Sequence, residues 1–115
     1  MSQVARLESV TEIEPLIADS RRRPVLFFKH SLTCPVSSAA FREYQQFLDD
    51  RPEDDLTVYT LIEIQNAREV SSSIAERTGV RHESPQALLV RDGEVAWHAS
   101  HWQIRARTLA DAVGG

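Results

Sequence analysis

Asp92-Gly93 limits the possible folds of this chain more than any other pair of residues. It stands between two strand-like runs, in PQALLVRDGEVAWHAS. A two-residue loop of this kind needs left-handed backbone at both positions, which Asp-Gly adopts at low cost, so the flanking runs are expected to pair antiparallel. Upstream the pattern is different. Compact apolar runs alternate there with segments of helical period, as in parallel strands joined by helices. A sheet that holds both patterns must be mixed.

The upstream elements can be placed from their own signals. TEIEPLIADS reads as a first helix, with Thr11 three residues before Glu14 at capping-box spacing and Ile13, Leu16 and Ile17 on one face. PVLFFKH has apolar residues in succession without alternation, the mark of a strand covered on both faces. From Pro35 the period becomes helical. Proline suits the first helical position, and Ala40, Tyr44, Phe47 and Leu48 form a stripe behind it. DDRPEDD ends that helix, and LTVYTLIEI is a second strand rich in β-branched and aromatic residues.

Asn66 with Glu69 suggests the cap of a third helix that buries Val70 and Ile74 and ends at Thr78-Gly79. A last helix over 104–113 would bury Ile104, Leu109 and Val113. The order is helix, strand, helix, strand, helix, hairpin, helix. A βαβ unit followed by a ββα unit satisfies it. The expected class is α/β: a mixed central sheet with helices on both faces, which is thioredoxin-like architecture. A doubly wound parallel sheet fits less well, because it leaves no place for the hairpin.

The length of 115 residues suits a single domain over 1–115, large enough to bury a core without staples. No apolar run approaches the roughly 18 residues that would cross a membrane, and the first residues have no signal-peptide core. The net charge of −4 gives no general attraction for nucleic acid or membrane, and the one basic cluster, Arg21 to Arg23, reads as a solvated loop. Neither is expected as a partner. A single cysteine excludes an internal disulfide and fits a reducing compartment, so the cytoplasm is the expected setting.

That cysteine lies in KHSLTCPVSS, residues 29–38. Cys34 falls between the end of a buried strand and the Pro35 that opens a helix, so it should stand at the N-cap. The first-turn N–H groups and the positive end of the helix dipole stabilise a thiolate there. Ser31, Thr33, Ser37 and Ser38 surround it with polar groups, which argues against an inert buried cysteine. Lys29 and His30 are candidates for added positive charge. Ser37 occupies the place where a Cys-x-x-Cys site has its second thiol. It is either a helix-surface serine or a donor to the thiolate.

Two further segments belong to the same picture. In the expected architecture a cis-proline precedes the hairpin and faces the cysteine, and Ser84-Pro85 stands at that place. The Ser84 backbone would then be free to pair with an extended thiol ligand. HASHWQI contains His98-x-x-His101, which resembles metal spacing. A strand would point two residues three apart to opposite faces, and no second cysteine supports zinc. Trp97 reads as core or hairpin surface. Trp102 reads equally as core packing or as ligand contact.

KHSLTCPVSSAAF, the Ser-Pro strand start and WHASHW after the hairpin together resemble the bacillithiol-system redox proteins of the YtxJ family, the monothiol bacilliredoxins. The resemblance covers nearly the whole chain. It implies that Cys34 is the nucleophile that takes bacillithiol from mixed disulfides on other proteins; Ser37, in place of a second thiol, rules out a competing internal disulfide and is the candidate to assist as a donor. It implies bacillithiol as co-substrate, bacillithiolated proteins as partners and no tightly bound cofactor. The thiol would lie along Lys29, His30, Thr33, Pro35, Ser84 and Pro85. As in glutaredoxin-like folds, its charged end would meet Ser100, His101 and Trp102. Two other readings remain at this point: an iron–sulfur carrier bridging two subunits, and a non-enzymatic interaction domain with a regulatory thiol.

Overall fold

Strand β2 (Val25–His30) is buried at all of its positions, as a strand must be when helices cover both faces of its sheet. In the computed structural model, which describes residues 4–114, β2 is the central strand of five. The order is β1 (Val4–Arg6), β3 (Val58–Glu63), β2, β4 (Gln86–Arg91), β5 (Glu94–Ser100). β2 runs parallel to β3 and antiparallel to β4, so the sheet is mixed as the sequence implies. The single-domain expectation includes Met1 to Gln3 and Gly115, which lie outside the described residues.

Alternate residues of β2 serve two cores. Leu26 and Phe28 pack with Tyr44 of α2 (Pro35–Asp49) and Leu109 of α4 (Ala106–Gly114). Val25 and Phe27 pack with Ile17 of α1 (Ile13–Asp19) and Ile74 of α3 (Arg68–Thr78). Each large side chain taken fully out of water contributes about 1.5–3 kcal/mol. The Phe28 and Tyr44 rings stack with centroids 4.3 Å apart, and the buried Tyr44 hydroxyl donates to the Thr60 carbonyl at 2.9 Å.

Asp92 and Gly93 both have positive φ, 52° and 79°, as the hairpin requires. Ser20 holds the turn: its carbonyl accepts from Asp92 N–H at 3.0 Å and its hydroxyl from Gly93 N–H at 2.8 Å. Leu89 pairs with Trp97 and Val90 with Val95, so Ala96 is an extra residue that bulges β5.

Several boundaries differ from the sequence reading. β1 was not expected; it is a three-residue edge strand beside β3, too short to carry a period. The first cap is Ser9, not Thr11. Ser9 and Glu12 close a capping box at a 3-10 turn (Val10–Glu12), and α1 follows it. Asn66 does not cap α3; Ala67 holds that position, and the Asn66 amide donates to Glu63. The last helix begins at Ala106, leaving Ile104 buried in the connection before it. No helix among the described residues is long and apolar enough to cross a membrane.

Candidate active site

β2 delivers the chain to the C-terminal edge of the sheet at His30, and α2 starts five residues later. Cys34 is the N-cap of α2, with extended backbone at φ −102° and ψ 124°, and Pro35 fills the first helical position. The thiol is partly exposed. No formed cap hydrogen bond ties it down, yet its pKa is lowered. The largest cause is the Ser37 N–H; the Val36 N–H and the Ser37 hydroxyl act in the same direction, and partial desolvation opposes them. These are the two N–H groups that an N-cap side chain ordinarily reaches. The site favours a thiolate.

Ser37 is fully buried, so it is not a helix-surface serine. Its oxygen accepts from Ser31 N–H at 3.3 Å, and its hydroxyl is among the groups that lower the Cys34 pKa. The 31–33 turn has a second support that sequence reasoning did not identify. Gln65, just past β3, accepts from Leu32 N–H at 3.0 Å and donates to Ser31 Oγ at 3.0 Å and Thr33 Oγ1 at 3.4 Å. Thr33 is therefore engaged by Gln65, although its residue remains exposed beside Cys34.

The two basic candidates from β2 do not supply charge to the sulfur. Lys29 is fully buried on the face that carries α3; its ammonium donates to the Ser71 carbonyl at 3.1 Å and lies 3.2 Å from His82 Nδ1. Strand alternation sends it there, because it shares the parity of Phe27. His30 is buried on the α2 face and stacks on Phe41 at 4.7 Å between centroids. Burial lowers its pKa against the opposing pull of Glu63 and the Ser37 backbone, so it is neutral at pH 7. Its Nδ1 has no partner among the described residues.

The Ser84–Pro85 bond is cis, as expected from the architecture. Lys29 pairs with Gln86 across β2 and β4, so Pro85 sits next to the end of β2 from which the Cys34 turn departs. Pro85 accepts from His101 N–H at 3.0 Å. His101 has φ 54°, which turns the chain out of β5 into a 3-10 turn (His101–Gln103). The exposed Glu83 carboxyl has a lowered pKa, first from the Ser100 hydroxyl and then from His101, Arg81 and His98 against some desolvation. The cis-proline loop and the Ser100–Trp102 segment are thus one surface. Trp102 is 62% exposed and does not pack in the core. Trp97 packs partly buried against the α2 and α4 side of the core. No group of three metal-ligating side chains occurs among the described residues.

Comparison with known proteins agrees with this geometry. The family described as monothiol bacilliredoxin BrxC matches residues 5–109. A solved protein described as a candidate oxidoreductase with a thioredoxin fold is 34% identical, with a TM-score of 0.82 over 95% of this chain and 92% of that one. The chain is also similar in fold to thioredoxin from Malassezia sympodialis, at 14% identity and TM-score 0.75 over 99% and 90% of the two chains. A thioredoxin variant from Halobacterium salinarum gives 18% identity and TM-score 0.71 over 96% and 88%.

Proposed function

The chain belongs to the monothiol bacilliredoxin family, and from that premise we propose that it removes bacillithiol from S-bacillithiolated proteins through a mixed disulfide on Cys34. The thiol redox character comes with the family and the fold. The observation that carries the finer reading is the sulfur's place: a partly exposed thiol of lowered pKa at the N-cap of α2, beside the cis-proline loop. A lowered thiol pKa also weighs against a purely structural interaction domain.

The chemistry is a disulfide exchange. The Cys34 thiolate attacks the bacillithiol sulfur, and a new S–S bond forms as the old one breaks. The target cysteine leaves as a thiolate and takes a proton from water. A second small thiol then attacks the Cys34 mixed disulfide, releasing Cys34 and a symmetrical disulfide for a separate reductase. Ser37 holds the turn and donates to the thiolate; Ser84 and Pro85 offer an edge for the extended thiol, and Ser100, His101 and Trp102 meet its far end. No tightly bound cofactor takes part, and the reaction belongs in a reducing compartment such as the cytoplasm.

Intact mass of the reduced protein after mixing with a bacillithiolated reporter protein tests this. One bacillithiol should appear on the native chain and be lost from the reporter, with none on Cys34→Ser. Failure of transfer while Cys34 still reacts with a small alkylating agent would defeat the proposal.

A further inference from the structure

The connection from α3 to β4 contains no helix or strand, and it brings Ser84 and Pro85 to the mouth of the site. Among the described residues, no N–H of Arg81, His82, Glu83 or Ser84 reaches a backbone carbonyl. Side chains set its place. Gln86 Nε2 donates to the Arg81 carbonyl at 2.9 Å, and the exposed Glu83 carboxyl meets the Ser100 hydroxyl. The remaining hold comes from beneath, where His82 Nδ1 lies 3.2 Å from Lys29 Nζ and 3.0 Å from Ser71 Oγ.

Burial first, and then the Lys29 charge, lowers the His82 pKa against the pull of Glu83, so the ring is neutral at pH 7. An ammonium has three donors and no lone pair, so Nδ1 is the acceptor and the ring carries its proton on Nε2. Lys29 Nζ also donates to the Ser71 carbonyl of α3 at 3.1 Å, which fixes where the ammonium stands, and the Lys29 backbone pairs with Gln86 of β4. One residue thus joins β2, α3 and the connection. An apolar side chain of equal length would fill the same space without the desolvation that lowers the Lys29 pKa to about 8. The contact with His82 therefore has a use other than packing.

We propose that Lys29 is a positioning residue for the exchange: through His82 it holds the 81–85 segment, so that the Ser84 backbone stands beside Cys34 for the incoming mixed disulfide. The inference rests on Cys34 exchange as proposed above and adds how its docking edge is kept in place. Lys29 governs the approach of the disulfide and not the acidity of the sulfur, because the groups that lower the Cys34 pKa belong to the first turn of α2.

The test sets a reaction that needs the docking edge against one that does not. The rate of bacillithiol transfer from the reporter protein is measured beside the rate of Cys34 alkylation by iodoacetamide. His82→Leu keeps bulk but has no acceptor. It should slow transfer by about 10- to 100-fold, the scale of a displaced reacting geometry, with alkylation within about twofold of native. His82→Asn places an amide oxygen close to where Nδ1 stands and should recover most of the native rate. Lys29→Met should also slow transfer, and joined to His82→Leu it should add nothing, since both break one contact. Full-rate transfer by His82→Leu, an equal loss in alkylation, no recovery in His82→Asn, or losses that multiply in the double variant would each overturn the role of Lys29. Each would leave Cys34 exchange standing, because the native chain still transfers. No transfer by the native chain would overturn both.

Discussion

Lys29 is the only lysine of the chain, and it is fully buried; among the described residues it has no carboxylate partner, and its ammonium meets the Ser71 carbonyl and His82. Desolvation lowers its pKa from 10.5 to about 8. Below pH about 8 both folded and unfolded chains hold the proton, and the folded state bears the cost of the buried charge. Between there and the unfolded value of 10.5 the unfolded chain binds more protons, so stability rises with pH. Integrating that linkage from pH 7 to pH 9.5 gives a gain of about 2 kcal/mol. The comparison is with Lys29→Met, which removes this one titrating group and keeps the rest of the chain. Urea unfolding followed by the fluorescence of Trp97 and Trp102 gives each stability. The native-minus-variant difference should grow by about 2 kcal/mol across that interval. Parallel curves, with a difference constant to within about 0.5 kcal/mol, would refute a buried ammonium of lowered pKa.

Two further predictions concern the site. Ser37→Ala removes a donor to the thiolate and the acceptor of Ser31 N–H. The Cys34 pKa should rise, so the pH profile of its alkylation by iodoacetamide should move to higher pH; an unmoved midpoint would assign the shift to the backbone alone. Gln65→Ala frees the 31–33 turn but leaves the N–H groups of α2 in place. Transfer of bacillithiol should slow by about 10-fold, the scale of a loosened reacting geometry, with no change in that alkylation midpoint. A shifted midpoint would mean that the turn helps set the thiol's acidity.

What could be read from the sequence follows from which forces are local. The hairpin was legible because Asp92-Gly93 satisfies its own backbone demand, and α2 because Pro35 marks its first turn ahead of a buried stripe. The position of Cys34 follows from those two facts. Lys29 was misread because a strand covered on both faces shows no alternation, so the sequence does not reveal which face an odd residue meets. Gln65 had no signal, since its role depends on the register between β2 and β3, where His30 stands beside Glu63. The exposure of Trp102 depends on the positive φ of His101, which no neighbouring residue type announces.

The hydroxyl at position 37 also has a kinetic consequence. Under the exchange proposed above, a second thiol at that place would let the chain clear its own adduct in a first-order step. With Ser37 there, release is second order and waits for a free small thiol to arrive. The fraction of molecules standing as adduct then follows the concentration of that thiol. When the pool is full the protein cycles; when the pool is oxidised it stalls with its sulfur covered. Its throughput is a gauge of the reserve it draws on.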